Sequence, residues 1–420
     1  MNIVAYPYLE STLQSGIKLG LEGIGRDLEA FHSPQLSYQS VHIAGTNGKG
    51  TVSRLIHYFL NTVGSKTGLY TSPHLVDVRE RVCIGHDQID EKLFRKILDK
   101  IQNVLRPDRT YFETLTLLAL EAFAQEQCEW AVLEIGLGGR LDATNVVDSH
   151  FQVFTKIDLD HTDILGLTPV EIAHEKAGII KPHSVIYSFE QYPEVKEVLE
   201  HYISQSQSCL FYMGCDWKWE IIEKNKQSQD VLVEFPEEKY IFHNFPILGE
   251  HQAANLSLAF AVFRHIQNQK QVVLKNEWDM SVFSWEGRSD WKVRNQRQFF
   301  LDGAHNPAAI QALCHVLSEM QKHKFHFIFG VLSTKDWQSM LNQIAQYASS
   351  IHFVPFEYPK AVTPIVLAEY WNRHYQHIPM NIYPSLDTLF NGISTWDDGL
   401  VVITGSFYLL GEIKARGYFS

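Results

Sequence analysis

The chain has 420 residues, more than one domain usually contains, so its length predicts two or three domains that need neither disulfides nor a structural metal. Hydrophobic residues make up 45% of the chain and charged residues 20%, a balance that excludes long disordered stretches. The 36 basic and 48 acidic side chains give a formal charge of −12, and no basic block could follow a nucleic-acid backbone. We therefore expect no nucleic-acid partner.

Cysteine usage and hydropathy indicate the compartment. The five cysteines are odd in number and show no CxxC spacing, as expected of thiols in a reducing compartment. The first residues lack a basic segment followed by an apolar one, and no run of about 18 apolar residues occurs. We expect a cytoplasmic protein with no membrane partner.

The first part of the chain alternates short apolar runs with helical patterns. After a predicted strand at residues 41–44 and a glycine-rich loop, apolar side chains recur at three- and four-residue spacing up to Gly64, which predicts a helix. The next predicted elements are a helix over 112–125 and strands over 130–135 and 151–157. This alternation predicts a mostly parallel sheet covered on both faces.

The pattern changes between about residues 184 and 245, where apolar runs at 217–222 and 231–235 predict a small antiparallel addition. After Arg288 the alternation restarts and predicts a second α/β domain, with strands at 299–301, 325–331, 351–354 and 400–404, a helix from Pro307 and a closing helix. Polar and basic residues cluster near 288–296. We therefore predict two domains, 1–293 and 294–420.

A glycine-rich loop, residues 45–51 (GTNGKGT), lies between the first predicted strand and its helix. Glycines let the backbone turn its amides toward an anion, and the helix presents its unpaired N–H groups at the same point. Lys49 adds a positive charge for the β- and γ-phosphates, and Thr51 or Ser53 is a candidate ligand for a metal or a phosphate oxygen. The alternative, a structural turn, leaves Asn47 and Lys49 without a role.

Two predicted strands end in carboxylates at the edge where open α/β sheets bind ligands. Glu134 lies near the end of the strand over 130–135 and offers oxygen donors that Mg²⁺ prefers; the alternative is an ion pair with Arg140 or with another basic side chain. Asp302 follows the strand over 299–301, where it could accept hydrogen bonds from ribose hydroxyls or, alternatively, cap a helix. His305 could reach a phosphate or a substrate carboxylate.

The glycine-rich loop and a series of later segments form a pattern that extends over most of the chain. The loop differs from the usual G-x-x-x-x-G-K-[ST] motif because Gly50 separates Lys49 from Thr51. The later segments are 71–75 (TSPHL), 111–114 (YFET), 133–145 (LEIGLGGRLDATN), 159–166 (LDHTDILG), 175–182 (EKAGIIKP), 248–255 (LGEHQAAN), 285–288 (WEGR), 302–307 (DGAHNP) and 405–412 (GSFYLLGE). Together they resemble the folylpolyglutamate/dihydrofolate synthase family of the Mur-ligase superfamily. Glutamate at position 286, in place of an expected proline, and segment 332–336 (LSTKD), which partly matches Asp-Lys-Asp, depart from the family.

The resemblance implies a P-loop, Mur-ligase-like ATP-binding domain over residues 1–293, followed by a Rossmann-like ligase domain over 294–420. It implies that Ser72 and Glu134 hold one magnesium ion and that His161 binds a second. It also implies that CO₂ carbamylates Lys176, which turns a cation that repels magnesium into an anion that helps to bind it. The implied ATP-binding residues are Thr46, Asn47, Gly48, Lys49, Gly50, Thr51, Asn255, Arg288 and Asp302. The implied catalytic residues are Lys49, His161, Lys176, Arg288 and His305, with Phe112 and Ser406 near the substrate.

These assignments have simpler alternatives. His161 by itself fits a satisfied structural side chain as well as it fits a ligand, and Lys176 could form a surface ion pair. Arg288 could be an ordinary solvated arginine, and Asn255 could make only local contacts. Phe112, at the start of a helix, fits a core residue better than a surface on which a pterin ring stacks.

The activity implied by the resemblance is an ATP-dependent ligase that joins L-glutamate to dihydropteroate or a reduced folate through an acyl phosphate. We expect ATP and two Mg²⁺ ions in a cleft between the domains, and a monomeric enzyme. Two alternatives stay open: a Mur-type ligase that acts on a cell-wall precursor, and a P-loop ATPase without ligase activity. The choice among dihydrofolate synthase, folylpolyglutamate synthase and both activities also stays open.

Overall fold

The computed structural model describes residues 6–13, 16, 20–104, 109–320 and 324–419. Within these ranges the strands form three sheets, of eight, four and six strands. The first and third sheets are built from alternating strands and helices, so the predicted α/β class is confirmed. The division of the chain after residue 293 stays a prediction.

The first sheet contains the strand that precedes the glycine-rich loop. Its strands are β1 (Gln39–Ala44), β2 (Thr67–Tyr70), β3 (Val82–Ile84), β4 (Asp87–Gln88), β5 (Trp130–Glu134), β6 (Phe151–Phe154), β7 (Val185–Ser188) and β8 (Cys209–Tyr212). They lie in the order β4-β3-β2-β5-β1-β6-β7-β8, and all the pairs from β2 to β8 are parallel. The strand predicted over 151–157 is shorter in the structure, where β6 ends at Phe154. Ile157 donates its backbone N–H to the Gln191 side chain (3.0 Å) and not to a neighbouring strand.

Helices cover both faces of the first sheet, as predicted. They are α1 (Pro7–Leu13), α2 (Glu22–Ala30), α3 (Lys49–Thr62), α4 (Glu91–Val104), α5 (Tyr111–Gln125), α6 (Thr162–Leu165), α7 (Pro169–Ala177) and α8 (Pro193–Ser206). The apolar stripe of α3 packs on one face of the sheet and that of α5 on the other. α5 begins at Tyr111 because Thr110 and Glu113 form a reciprocal capping box.

The predicted antiparallel addition is confirmed as strands, but it forms a separate second sheet. Its strands are β9 (Lys218–Lys224), β10 (Gln229–Glu234), β11 (Lys239–Phe245) and β12 (Glu277–Asp279), of which the last two pair in parallel. The long helix α9 (Glu250–Gln269) packs against α3 and against this sheet. The ring centroids of Phe242 on β11 and Phe260 on α9 lie 4.8 Å apart. Buried aromatic contacts of this kind hold the second sheet to the first part of the chain.

The third sheet is formed by the last part of the chain. Its strands are β13 (Asp290–Arg294), β14 (Arg297–Leu301), β15 (Phe325–Phe329), β16 (Ala348–Phe353), β17 (Met380–Ile382) and β18 (Leu400–Thr404), in the order β13-β14-β18-β15-β16-β17. Its helices are α10 (Pro307–Ser318), α11 (Trp337–Ile344), α12 (Pro364–His374), α13 (Leu386–Gly392) and α14 (Phe407–Ala415). Except for β13, the paired strands are parallel, so this region has the predicted alternating architecture. No helix in the described ranges has the length and apolar character needed to cross a membrane.

Helix α14 of the last part contacts the loop that follows β2. A side chain at Gly411 would overlap the backbone carbonyl of Leu75, so the absence of a Cβ permits the close approach. The helix therefore brings the third sheet against the loop that contains Ser72.

We expect Gly411→Ala to destabilise the protein by on the order of 1–3 kcal/mol, although alanine is the better helix former, because the new methyl group must push α14 away from Leu75. The matched control is Gly25→Ala in α2, where a Cβ would meet nothing within 4 Å. That change should leave stability equal or higher. Thermal unfolding of both variants measures the difference, and equal midpoints would contradict the close contact.

Candidate active site

The glycine-rich loop connects β1 to α3 and has an anion-binding backbone. Gly45 and Gly48 have φ values of 140° and 91°, which side chains disfavour, and Gly48 is the N-cap of α3. Thr46 holds the loop against the segment that follows β6, because its hydroxyl donates to the Asp158 carbonyl (2.8 Å). The unpaired amides at the start of α3 therefore face the carboxyl edge of the first sheet.

Lys49 bends back over this loop, where its ammonium donates to the Thr46 carbonyl (3.1 Å). Desolvation lowers its pKa, while the charges of Glu134 and Asp160 act in the opposite direction. Lys335 and Arg288 reinforce the lowering. Charged groups from both the first and the last part of the chain thus act on one ammonium group.

Asn255 lies against the loop from the side of α9. A Cβ at Gly48 would lie 2.6 Å from its Oδ1, and its amide donates to Gln252 (3.2 Å). The side chain is buried against Gly48, so its contacts are not limited to its own helix. Asn255 is therefore part of the loop's wall.

Glu134 ends β5, and its carboxylate lies beside the glycine-rich loop. Its Oε2 accepts a hydrogen bond from the Ser72 backbone (3.0 Å), and an ideal Cβ at Gly50 would lie 3.5 Å from the same oxygen. Burial raises the pKa of Glu134, and the charge of Lys49 opposes the rise. Arg140 pairs with Glu175 (2.8 Å), so the proposed alternative of a Glu134–Arg140 ion pair is excluded.

Lys176 lies near the end of α7, beneath the glycine-rich string that follows Glu134. Gly139 packs directly on its backbone, since an added Cβ would lie 2.8 Å from the Lys176 Cα. The side chain is 4% exposed, and its ammonium reaches the Gly138 carbonyl at 3.5 Å. Burial, reinforced by Lys49, lowers its pKa to about 7. The alternative of a surface ion pair is excluded.

A charged network extends from His161 to the last part of the chain. The Asp160 carboxylate pairs with Lys335 (2.6 Å) and accepts a hydrogen bond from Asn306 (3.2 Å). His161 Nε2 lies 3.4 Å from the Lys335 ammonium, and His305 Nε2 lies 4.0 Å from Asp160. Burial raises the pKa of Asp160, but Lys335 and the two histidines outweigh it and hold that pKa well below its ordinary range.

The two histidines of this network are poor bases. Desolvation and the neighbouring Lys335 lower the pKa of His161 to about 4 and that of His305 to about 3. His305 is further oriented by a hydrogen bond between its Nδ1 and the Gly303 carbonyl (2.8 Å). At neutral pH both side chains are neutral imidazoles, each with one donor and one acceptor nitrogen, and in His305 the donor is already used by the Gly303 carbonyl.

A reciprocal pair of amides joins the glycine-rich loop to the third sheet. Asn47 donates to Asn306 (3.3 Å), and Asn306 donates to Asn47 (3.0 Å). Asn306 is also the N-cap of α10, which excludes the helix-capping alternative for Asp302. Asp302 instead accepts hydrogen bonds from the backbones of Ser289 and Ala304, both 3.0 Å.

Arg288 lies in the same cleft and is not a solvated arginine. Its Nε is buried without a hydrogen-bond partner, and its guanidinium lies over the ring of Phe407, 4.5 Å from the centroid. Burial lowers its pKa, and the charges of Asp302 and Glu134 oppose the change. The cleft therefore contains a buried guanidinium with an unused donor.

Comparison with known families decides the relationship. The model of the Mur ligase middle domain matches residues 43–263, and the model of the dihydrofolate synthetase C-terminal domain matches residues 288–416. The dihydrofolate synthase/folylpolyglutamate synthase of Mycobacterium tuberculosis is 30% identical over 388 residues, which cover 84% of this chain and 78% of its own length. The chain belongs to the dihydrofolate synthase/folylpolyglutamate synthase family.

Solved structures of this family have the same fold. The folylpolyglutamate synthase of Mycobacterium tuberculosis, complexed with ADP and AMPPCP, has a TM-score of 0.88 at 28% identity over 99% of both chains. A bifunctional folylpolyglutamate synthase/dihydrofolate synthase with Mn, AMPPNP and L-glutamate bound has a TM-score of 0.82 at 28% identity, over 99% of this chain and 97% of that chain. The fold and family implied by the motifs are confirmed.

The remaining residues singled out for the folylpolyglutamate synthase family lie at the edge of the cleft. Phe112 packs its ring against Gly136, and its centroid lies 5.7 Å from that of Tyr70. Ser406 is the N-cap of α14 and accepts a hydrogen bond from the Tyr408 backbone (3.1 Å). The substrate roles of Phe112 and Ser406 stay predictions.

The donor set fits the magnesium ion predicted for this family member at Glu134 better than the second ion predicted at His161. The Glu134 carboxylate is buried and takes one backbone hydrogen bond, which leaves oxygen lone pairs available. His161 faces the Lys335 ammonium, and the unmodified side chain of Lys176 offers no anionic oxygen to a metal. Among the described residues, no group of three histidine, cysteine, aspartate or glutamate side chains could hold a metal. A second ion therefore requires Lys335 to move and Lys176 to become an anion.

Sequence reasoning missed three residues of this cleft: Asp160, Asn306 and Lys335. The first two immediately neighbour His161 and His305 in the chain, so their motifs contained the signal. Lys335 lies in the segment that matches the family only partly, and its distance of 175 positions from Asp160 concealed the pairing. The contact is a property of the folded chain.

We expect Asp160→Ala to lower the free energy of unfolding by on the order of 3 kcal/mol, because it leaves the Lys335 ammonium unpaired between two parts of the protein. The double variant Asp160→Ala/Lys335→Ala should recover part of this loss. The control is Glu126→Ala, which removes an exposed partner of Lys66 and should cost less than about 1 kcal/mol. Denaturant unfolding measures all three, and equal losses for Asp160→Ala and Glu126→Ala would contradict the buried pair.

Proposed function

We propose that this protein uses ATP to join L-glutamate to the carboxylate of dihydropteroate or of a reduced folate, releasing ADP and phosphate. The observation that carries the proposal is the convergence of Lys49, Glu134, Arg288 and His305 on one cleft beside a phosphate-binding loop. This combination offers cations for a triphosphate and a buried carboxylate for its metal. The names and bound ligands of the related proteins support the same activity.

The chemistry needs an activated carboxylate, because a carboxylate does not react with an amine at neutral pH. The substrate carboxylate attacks the γ-phosphorus of ATP, and ADP leaves as the acyl phosphate forms. The amino group of glutamate then attacks the acyl carbon, and the tetrahedral intermediate expels phosphate. These steps need positioning and neutralisation of negative charge but no covalent enzyme nucleophile.

Each side chain of the cleft has a proposed part in this reaction. The amides of residues 46–51 and Lys49 hold the β- and γ-phosphates, and Asn255 lines the position of the base. Arg288 approaches the phosphates from the side of the third sheet, and Asp302 accepts hydrogen bonds from the ribose. His305 uses its Nδ1–H on the Gly303 carbonyl, so it donates from Nε2 to the transferring phosphoryl group or to the carboxylate of glutamate once the negative charge of that ligand has drawn a second proton onto the ring.

The proposed magnesium sites use residues from three segments. Ser72 and Glu134 would hold the ion next to the γ-phosphate, and His161 and a carbamate on Lys176 would hold the second. The metal would supply positive charge that neutralises the oxygens of the transferring phosphoryl group. For Lys176, the lowered pKa supports the modification, because only a neutral amine adds to CO₂.

On the substrate side, Phe112 and Ser406 are the proposed contacts, with Phe112 positioned for stacking against a pterin ring. Relatives named for dihydrofolate synthase, for folylpolyglutamate synthase and for both occur among the similar proteins. The assay below therefore offers an acceptor for each glutamate addition, dihydropteroate for the first and a reduced folate for the further ones.

The function is tested by incubating the protein with Mg-ATP and L-glutamate and by offering dihydropteroate, a reduced folate and a cell-wall peptide precursor separately. ADP release and product mass should depend on one of the first two acceptors. Product formed with the cell-wall precursor alone would indicate a Mur-type ligase. ADP released equally without any acceptor would indicate an ATPase without ligase activity.

Replacement of Lys49 by alanine should lower ligase turnover by about 100-fold or more without unfolding the protein, because the loop loses the charge next to the leaving ADP. The matched control is Lys239→Ala, which removes an exposed lysine paired with Glu234 (2.9 Å). The control should keep its activity, and both variants should give the circular dichroism spectrum of the parent. Near-normal ADP release by Lys49→Ala would overturn the assigned role.

Carbamylation of Lys176 should increase as pH rises through 7. With a pKa of about 7, half of the side chains are neutral amines near that pH, whereas a lysine with its ordinary pKa is neutral in about four cases per ten thousand. We expect ¹³C-bicarbonate to give a carbamate resonance at pH 8 that Lys176→Arg abolishes. Removal of CO₂ should lower activity, and bicarbonate should restore it. Full activity of Lys176→Arg would contradict the proposal.

A further inference from the structure

The first side chain of α14, Phe407, lies at the centre of the cleft although no motif assigned it a role. The Arg288 guanidinium carbon lies 4.5 Å from the centroid of its ring. The ring of His305 lies 5.7 Å away between centroids, at an interplanar angle of 56°. One aromatic ring therefore contacts two of the proposed catalytic side chains, which come from different segments.

The backbone around this ring is built to admit it. A Cβ at Gly303 would overlap the edge of the Phe407 ring, and a Cβ at Gly287 would lie 3.5 Å from its Cε1. The two glycines are also joined directly, because the Gly303 backbone donates to the Gly287 carbonyl (2.8 Å). The segment that carries His305 thus reaches the ring only because Gly303 has no side chain, and Gly287 next to Arg288 lies at ordinary contact distance from the same ring.

Arg288 has few partners in the cleft, and the Phe407 ring supplies one of them. Its Nε is buried without a hydrogen-bond partner, and no ion pair among the described residues includes its guanidinium. Asp302 is a source of negative charge nearby, but both of its oxygens accept backbone hydrogen bonds. The ring face is thus a contact that attracts the cation without occupying an N–H group.

A carboxylate in the place of Phe407 would act differently. It would take two of the five guanidinium donors in a bidentate pair and neutralise the charge. A ring face attracts the cation through its quadrupole and leaves the in-plane donors free. It therefore orients Arg288 while preserving both the charge and the donors for an incoming anion.

We propose that Phe407 is a positioning residue that holds the Arg288 guanidinium on its ring face, with His305 alongside, so that the guanidinium N–H groups remain available for the nucleotide phosphates. The identity of the anion rests on the proposed function; the pairing of Arg288 with the ring does not. Phe407 itself touches no reacting atom.

A series of fluorinated phenylalanines at position 407 of the full-length protein tests this proposal. Each added fluorine withdraws electron density from the ring face while the ring keeps nearly the same shape. We expect the affinity for AMPPNP with Mg²⁺, measured by calorimetry, to fall stepwise from phenylalanine through 4-fluoro- to 3,4,5-trifluorophenylalanine, by about three- to tenfold in total. Phe407→Tyr should bind like the parent, and Phe407→Leu should bind at least as weakly as the trifluoro variant.

The matched control is Phe390 on α13, whose ring carries Arg294 with the guanidinium carbon 5.3 Å from the centroid. The same fluorination there should leave nucleotide affinity unchanged. Equal affinity across the fluorinated series at position 407, with normal binding by the parent, would overturn the proposal. Phe407→Leu with the affinity of the parent would also overturn it, since a purely structural role needs only an apolar side chain.

A second measurement needs no nucleotide. Thermal unfolding of Phe407→Leu, Arg288→Met and the double variant should show non-additive changes in stability, because each single change removes the same contact. Additive changes would overturn the pairing. Failure of the parent to bind AMPPNP would count against the proposed function, while this cycle would still decide whether the ring holds Arg288.

Discussion

The structure depends on a cleft in which like charges are held close together away from bulk water. Lys49, Lys176, Arg288 and Lys335 approach one another between the first and third sheets, where the carboxylates of Glu134, Asp160 and Asp302 face them. Burial lowers the pKa of the first three cations because a charged form is costly in a poorly solvated site. A bound polyanion neutralises these buried positive charges. The cations that destabilise the free protein therefore favour the binding of a triphosphate.

Close backbone approach makes this concentration of groups possible. Gly139 lies on the backbone of Lys176, Gly303 on the ring of Phe407 and Gly411 on the carbonyl of Leu75. At each of these points a side chain would hold two segments apart by the thickness of a methyl group or more. The glycine-rich segments that carry the family resemblance are thus the places where separate elements are pressed together around the cleft.

The contacts across the cleft join the phosphate-binding loop to the third sheet through neutral as well as charged groups. The reciprocal amide hydrogen bonds of Asn47 and Asn306 link the loop to the start of α10. The Asp160 carboxylate accepts hydrogen bonds from both Asn306 and Lys335. Such a network keeps the two walls in register and restricts water between them. Restricted water matters to a ligase of this kind, because an acyl phosphate that meets water before an amine is lost to hydrolysis.

The sequence by itself determined the α/β class, the position of the glycine-rich loop between β1 and α3, strand β18 at Leu400–Thr404, and the carboxylates at strand ends, Glu134 as the last residue of β5 and Asp302 directly after β14. Those features depend on local periodicity and on residues next to one another in the chain, which a pattern records. Only the tertiary structure decided that Arg140 pairs with Glu175, that Lys335 pairs with Asp160, that the antiparallel strands form their own sheet, and that Phe407 lies beneath Arg288. These depend on which distant segments meet and on how far water is excluded between them. No periodicity along the chain contains that information, because hydrogen bonds and charges far apart in sequence acquire their partners only when the sheets pack.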